Sequence, residues 1–162
     1  MACDFLNFYT SPFGQLGLIE RNQQLKAIVF LNALSQGDLS SYQISETELL
    51  QEVTRQLDAY FKGNLKYFDL PLLTEGTEFQ QKVWKTLEGI PYGSTQSYGE
   101  IARKVGCIGG ARAVGMAAHR NPIPIIIPCH RVIGASGKLV GYAGGLEIKQ
   151  YLLDLENKYK KT

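Results

Sequence analysis

Apolar and polar positions alternate at the start of the chain, in short runs that are typical of β-strands. The runs cover residues 4–9, 16–19 and 25–31. Residues 11–14 and 21–24 separate these runs and are rich in residues that favour turns. The pattern predicts a three-stranded antiparallel meander.

The period of the apolar positions becomes helical in the next segment. Its apolar residues are Leu49, Leu50, Val53, Leu57, Tyr60 and Phe61. The preceding residues 45–48, Ser-Glu-Thr-Glu, have the form of a capping box that begins a helix, and Gly63 is typical of a helix end. We expect this helix to cover the sheet, and residues 64–76 to form an extended linker.

The second half of the chain has mainly helical patterns. Capping boxes at residues 77–80 and 97–100 begin two helices, and later helices are predicted over 111–118 and 145–158. Residues 106–110 form a glycine-containing turn between two short helices. This arrangement matches a helix-turn-helix, although an ordinary helical hairpin is the commoner structure with such a pattern.

Together these elements predict an α+β fold with two domains. Residues 1–74 would form a small N-terminal α/β domain, an antiparallel sheet plus a helix, with its linker. Residues 75–162 would form a mostly helical C-terminal domain. No apolar run approaches the ~20 residues needed to span a bilayer. We therefore expect a soluble, cytoplasmic protein with no membrane partner.

Charge is distributed unevenly between these two parts. Residues 1–74 carry 5 lysines and arginines against 8 aspartates and glutamates, whereas residues 75–162 carry 12 against 7. The basic second half is what a phosphate-binding surface requires, although ordinary surface variation explains the charges equally well.

The cysteines do not form a disulfide or zinc pattern. There are three, Cys3, Cys107 and Cys129, at irregular spacing, and neither they nor the two histidines form a C-x-x-C or H-x-x-x-H pair. No glycine-rich phosphate loop of the usual form is present either. We expect no metal and no cofactor.

The most unusual segment places Cys129, His130 and Arg131 directly after an apolar run bounded by prolines. A neighbouring base or positive charge favours the reactive thiolate of a cysteine, so this order indicates a nucleophile. We expect residues 123–127 to form a strand, on which adjacent side chains point to opposite faces. His130 would then reach Cys129 only through a turn or a bridging water.

A carboxylate would be needed to orient the histidine. The last predicted helix offers three candidates, Glu147, Asp154 and Glu156. The alternative for the cysteine is a buried, unreactive apolar residue, which is the usual role of a lone cysteine.

The segment 127–133, Ile-Pro-Cys-His-Arg-Val-Ile, resembles the active-site signature of the O6-alkylguanine-DNA alkyltransferases, also called methylated-DNA–protein-cysteine methyltransferases. The resemblance continues through other motifs of the second half, at residues 90–93, 97–100, 111–115, 121–122 and 141–146. It covers residues 77–156 almost continuously and residues 1–74 in outline. It implies a ribonuclease-H-like N-terminal domain and a C-terminal domain that binds DNA and transfers the alkyl group.

The resemblance also implies catalytic roles. Cys129 would accept the alkyl group, and His130 would act as its base through a water molecule. Glu156 would orient the histidine, Asn121 would brace the turn before the cysteine, and Tyr142 would donate a proton to the departing guanine. Lys149 and Arg131 would be basic or structural supports.

Further residues would contact DNA and the flipped base. Arg112 would fill the gap in the base stack, and Tyr98 would press on the phosphate beside the lesion. Ala113 and Ala117 would permit close approach to the minor groove, while the backbone around Val132 and Ala143 would read the base edges.

The implied function is direct repair of double-stranded DNA that contains O6-alkylguanine, and also O4-alkylthymine, in a single turnover. We expect a monomer, and the resemblance leaves cooperative assembly on DNA open. One alternative is a module that binds such lesions without transfer, against which the presence of Cys129 argues. The other is a cysteine hydrolase that uses Cys129, His130 and Glu156.

Overall fold

The chain divides into two units, Met1–Thr74 and Glu75–Thr162, in the computed structural model. The structure describes residues 3–31 and 39–161. Within these ranges, no helix has both the length and the apolar character needed to cross a membrane. The architecture is α+β, as predicted: a small sheet unit followed by a mainly helical unit.

The first unit contains the predicted meander. Strands β1 (Phe5–Ser11), β2 (Gly14–Arg21) and β3 (Gln24–Phe30) pair antiparallel in sequence. A short strand β4 (Gln43–Ile44) adds parallel to β1, which gives the order β3-β2-β1-β4. Strand β4 was not predicted, because two residues are too few to show a period.

Helix α1 (Glu48–Phe61) packs against β2 and β3, and its buried side is the predicted apolar face. The expected capping box at residues 45–48 is wrong. The N-cap is Thr47, whose hydroxyl accepts a hydrogen bond from the Leu50 backbone N–H at 3.1 Å and donates one to the buried Glu20 carboxylate. The strand residue Glu20 therefore favours Thr47 as the cap. Gly63 ends the helix with a φ of 79°, as predicted.

Residues 64–76 are not simply a linker. The Leu25 N–H donates to the Pro71 carbonyl at 2.8 Å, and the Leu73 N–H donates to the Leu25 carbonyl at 2.9 Å. Strand β3 is at the edge of the sheet and offers backbone groups that a neighbouring chain segment can pair with. The segment is therefore part of the first unit as far as Leu73.

The second unit is built on four helices and a small two-stranded sheet. The helices are α2 (Glu78–Glu88), α3 (Tyr98–Lys104), α4 (Ala111–His119) and α5 (Leu146–Tyr159). Strands β5 (Gln96–Ser97) and β6 (Val132–Ile133) pair in parallel. The capping boxes at Thr77 and Ser97 are both formed, with Gln80 and Glu100 as the reciprocal partners.

Helices α3 and α4 are adjacent in sequence and pack against each other across the turn at residues 105–110, in a helix-turn-helix. Helix α2 holds α4 from the opposite side, because the indole N–H of the buried Trp84 donates to the Ala117 carbonyl at 2.8 Å. This bond fixes which face of α4 points into the core.

The apolar segment before Cys129 is not the expected strand. Residues 122–127 form turns, in which the Ile127 N–H donates to the Ile123 carbonyl and Ile125 has a φ of 76°. Residues Cys129–Arg131 then form a single 3₁₀ turn. Pro122, Pro124 and Pro128 have no N–H to donate to a ladder, which explains why an apolar run of this length does not extend.

Candidate active site

A pocket of about 520 Å³ opens between α4 and the segment that precedes α5. Its lining residues are Tyr98, Ala111, Arg112, Gly115, Met116, Ala118, His119, Arg120, Cys129, Val140, Gly141, Tyr142 and Ala143. Four of the predicted site residues are therefore brought to one cavity from four separate parts of the chain: Tyr98, Arg112, Cys129 and Tyr142. Ala143, predicted to read the base through its backbone, lines it as well.

Glu156 is the centre of a buried hydrogen-bond cluster beside this pocket. One carboxylate oxygen lies 2.7 Å from His130 Nε2 and 2.9 Å from Arg131 Nη2, and the other accepts from Arg131 Nε at 2.8 Å. The Gly93 backbone N–H also donates to it, at 3.2 Å. Burial alone would raise the pKa of Glu156, but these partners hold it well below its ordinary value, so the carboxylate is ionised.

This cluster decides among the three candidate carboxylates. Asp154 instead accepts a hydrogen bond from Gln150 one turn away, and Glu147 is exposed in the first turn of α5. Arg131 contributes more than the basic support that the sequence suggested, because it pairs with both oxygens of Glu156 and also donates to the Ile90 carbonyl at 2.7 Å. Such a bidentate pair is strong and fixes orientation.

His130 is completely buried and held in one orientation. Burial lowers the pKa of its imidazole, and the neighbouring Glu156 opposes that effect only in part. A neutral ring that donates its Nε2 proton to Glu156 has its lone pair on Nδ1. That nitrogen is buried and has no hydrogen-bond partner within the described part of the chain. His130 is therefore prepared to accept a proton at Nδ1.

Cys129 lines the pocket with 7% of its surface exposed. Burial raises the pKa of its thiol to about 11, although hydrogen bonding with Asn121 and the charge of Lys149 act in the opposite direction. The nearby His130 and Arg131 do not offset this effect of burial in the resting protein, and both side chains are engaged with Glu156. The thiol needs a base during reaction.

Asn121 braces the turns that lead to the cysteine. Its amide donates to the Ile127 carbonyl at 2.7 Å, and its side-chain oxygen accepts from the Ile123 N–H at 2.9 Å. The side chain thereby supplies the backbone partners that a proline-containing segment cannot provide for itself. This position agrees with the bracing role that the motif implied.

Tyr142 lines the pocket, and Lys149 contacts two other residues that line it. Tyr142 is buried, and burial together with the nearby Cys129 raises the pKa of its hydroxyl, which therefore keeps its proton. Lys149 is also buried, and its ammonium donates to the Gly141 carbonyl at 2.9 Å and to the Tyr98 hydroxyl at 3.5 Å. Sequence reasoning gave Lys149 little weight, because a lysine on an amphipathic helix is usually exposed.

The predicted DNA-contacting residues of α4 separate into two groups. Arg112 and Ala113 are exposed, as a surface role requires. Ala117 is only 3% exposed, and its backbone carbonyl accepts the hydrogen bond from Trp84. Its side chain therefore offers little surface to DNA, and its contact with the minor groove stays a prediction. Met116, which sequence reasoning did not select, is instead 60% exposed beside Arg112 at the pocket.

Val132 also differs from the expectation. It is buried in β6 and is not among the residues that line the pocket, and its N–H donates to the Cys129 carbonyl. This N–H is therefore already paired within the protein, and the reading of a base edge by the backbone around Val132 stays a prediction. Among the described residues, no group of three or more histidine, cysteine or acidic side chains is placed to hold a metal ion.

Comparison with known proteins assigns the two units to two domains of one protein family. The ribonuclease-like domain of 6-O-methylguanine DNA methyltransferase matches residues 5–74, and the DNA-binding domain of that family matches residues 78–158. The methylated-DNA–protein-cysteine methyltransferase of Methanosarcina acetivorans is 50% identical over 148 residues, which cover 91% of this chain and 95% of the relative.

Solved structures agree with these matches. The O6-methylguanine methyltransferase of Mycobacterium tuberculosis has a TM-score of 0.89 at 46% identity, covering 96% of this chain and 94% of the other. A structure of the M. tuberculosis protein in complex with DNA has a TM-score of 0.88 at the same identity and coverage. The chain belongs to the 6-O-methylguanine DNA methyltransferase family.

Proposed function

We infer that the protein is a methylated-DNA–protein-cysteine methyltransferase, which repairs DNA by taking an alkyl group onto its own Cys129. The observation that carries this assignment is a buried cysteine that lines a pocket beside a helix-turn-helix, next in sequence to an oriented histidine that pairs with an ionised carboxylate. The names of the full-length relatives support the same activity.

We propose that the substrate is O6-alkylguanine, and also O4-alkylthymine, flipped out of double-stranded DNA. The O6 atom lies inside the base stack, so attack on its alkyl carbon requires the base to leave the duplex, at a cost of a few kcal/mol. Arg112 and Tyr98 both line the pocket, and Arg112 is exposed there. In this proposal Arg112 fills the gap in the base stack and Tyr98 presses on the adjacent phosphate. Poor base discrimination in the minor groove suits repair at any sequence.

The transfer step follows from two features of the site: His130 can accept a proton at Nδ1, and the Tyr142 hydroxyl keeps its proton. His130 takes the thiol proton of Cys129 at Nδ1, directly or through a water, while Glu156 stabilises the imidazolium that forms. The sulfur then attacks the alkyl carbon, the carbon–O6 bond breaks, and the departing guanine takes a proton from Tyr142. The imidazolium proton of His130 is passed, through water, to the Tyr142 oxygen, which restores both side chains. The net change moves the alkyl group to sulfur and a proton to guanine.

The resulting thioether has no leaving group that water displaces under mild conditions, unlike the thioester of a cysteine hydrolase. We therefore propose a single turnover. We also propose that the protein is a monomer located in the cytoplasm.

Replacing the nucleophile tests this proposal. Cys129→Ala should lose all transfer from a duplex with labelled O6-methylguanine and still bind that duplex, because only the sulfur makes the new bond. The matched control is Cys3→Ala, since Cys3 is an exposed thiol of the first unit. That variant should transfer one alkyl group per molecule.

Mass spectrometry of the intact protein provides the decisive measurement. One added methyl group on Cys129 is expected in the wild type and in Cys3→Ala. Residual transfer by Cys129→Ala would mean a different nucleophile. Binding without a mass increase in the wild type would indicate a lesion-binding module, and multiple turnovers would indicate a hydrolase.

A further inference from the structure

Three exposed side chains form a row along α4, and the middle one is apolar. Arg112, Met116 and Arg120 lie four residues apart, so they share one face of the helix and its C-cap. All three line the pocket, and Met116 is 60% exposed. The opposite face of α4 is buried, so this row cannot turn into the core.

A single exposed apolar side chain is common on protein surfaces and needs no explanation. Met116 differs because its surroundings are concave and basic. It lines the pocket together with Val140, which is 64% exposed on the segment before α5, and it lies between the two arginines of the row. Guanidinium groups pair with phosphates, but a thioether does not, so the partner of Met116 must offer apolar surface.

Duplex DNA offers apolar surface where a base loses its stacking neighbour. Proteins that bind the minor groove frequently insert apolar side chains, methionine among them, between base steps and partly unstack them. Methionine is unbranched and flexible, so it can adapt to any neighbouring base. Tyr98 packs against the same turn of α4, because a Cβ on Gly115 would lie 3.7 Å from the Tyr98 ring. Met116 is therefore next to the residue expected to press on the DNA phosphate.

We propose that Met116 is an extrusion residue, an apolar wedge that enters the minor groove beside Arg112 and contacts the bases that have lost their stacking neighbour. This proposal rests on the proposed repair of duplex DNA. Arg112 fills the vacated position, Met116 shields the adjacent base faces from water, and Arg120 pairs with a backbone phosphate.

Two substitutions separate apolar character from size. Met116→Gln keeps the length of the side chain but makes its end polar, whereas Met116→Leu keeps an apolar side chain of similar size. The matched control is Ile44→Gln, because Ile44 is 58% exposed and belongs to the first unit. All three variants should melt within about 2 °C of the wild type, since substitution of an exposed side chain changes stability little.

Met116→Gln should transfer the methyl group from duplex O6-methylguanine roughly 5- to 30-fold more slowly, because the wedge no longer gains free energy by burying apolar surface. Transfer from a single-stranded oligonucleotide with the same lesion should stay within about twofold of the wild type, since no paired stack has to open. Met116→Leu should restore most of the duplex rate. Ile44→Gln should match the wild type on both substrates.

Equal losses on the duplex and the single strand would overturn the wedge, because that result places Met116 against the flipped base alone. An unchanged duplex rate in Met116→Gln would overturn it, and so would a loss in Met116→Leu as large as that in Met116→Gln. The wild type in the same assay keeps the two proposals apart. The transferase assignment fails only if the wild type transfers from neither substrate, which would remove the basis of the wedge as well.

Discussion

At the scale of single residues, the site depends on one carboxylate that serves two partners. Glu156 orients His130 and neutralises the buried Arg131, so the catalytic geometry and the stability of the second unit share one group. Removing one member of a buried ion pair leaves the other charge without compensation, which costs far more than the pair contributes when intact.

Glu156→Gln should therefore both destabilise the protein and slow transfer. We expect the free energy of unfolding at neutral pH to fall by about 3–5 kcal/mol, because Arg131 remains buried without a counter-charge. Urea unfolding measures this loss, and labelled transfer measures the activity. Asp154→Asn, on the same helix but exposed, is the matched control and should change neither quantity appreciably.

The same residue predicts a pH dependence with a definite sign. Because the pKa of Glu156 is lower in the folded protein than its ordinary value of 4.5, its contribution to stability is present above pH 4.5 and is lost as the pH falls below that value. Glu156→Gln should show a smaller loss of stability over this acid range. An equal loss in both proteins would contradict the assignment of the lowered pKa to Glu156.

Residue identities were the most predictable part of the site. The motif around Cys129 pointed to His130, because chemistry restricts which side chains can act as a base. The choice of Glu156 among three candidate carboxylates came from the family resemblance. The partners of Arg131 and Lys149 were less predictable, since both depend on the 3₁₀ turn and on how α5 is rotated. Sequence spacing does not determine either of these.

At the scale of elements, prediction succeeded where local signals agree and failed where tertiary contacts decide. The boxes at Thr77 and Ser97 begin helices as expected, because cap and reciprocal partner are three residues apart in sequence. The cap of α1 is Thr47 rather than Ser45, since Glu20 on a distant strand selects it. The proline-bounded segment before Cys129 forms turns that depend on Asn121.

Helix α4 gives a testable contrast between two alanines that sequence alone treated alike. Ala113→Leu should change the free energy of unfolding by less than about 0.5 kcal/mol, because residue 113 is exposed, but should weaken duplex binding. Ala117→Leu should destabilise the protein by about 1–3 kcal/mol, because residue 117 is buried and the larger side chain overpacks its surroundings.

Urea unfolding and fluorescence anisotropy with a labelled duplex measure these two effects. Each alanine is the control for the other, since the substitution and the helix are the same. Wild-type duplex binding by Ala113→Leu would show that this face of α4 does not approach DNA closely.

At the scale of the whole molecule, the surplus of basic residues and the candidate active site lie in the same unit. The pocket, the helix-turn-helix and the surplus of basic residues all belong to Glu75–Thr162, whereas Met1–Thr74 carries a net negative charge. A net positive charge on the unit that contains the pocket favours the approach of a polyanion. The uneven charge, which by itself was equally consistent with surface variation, thus agrees with the position of the site.

The last prediction concerns the protein after reaction. Cys129 is nearly enclosed, so an alkyl group on its sulfur must displace packed neighbours unless it points into the pocket. Overpacking of this kind costs about 1–3 kcal/mol, which for a chain of this size lowers the melting temperature by roughly 2–12 °C. The single tryptophan, Trp84, is in the same unit and reports its unfolding by fluorescence.

We expect the alkylated protein to melt at a lower temperature than the unreacted protein. Cys129→Ala incubated with the same alkylated duplex controls for any effect of bound DNA, because it cannot gain the alkyl group. An unchanged melting temperature after complete transfer would show that the added group is accommodated in the cavity of about 520 Å³ without displacing the core. That result would contradict the strain argument and leave the transfer chemistry intact.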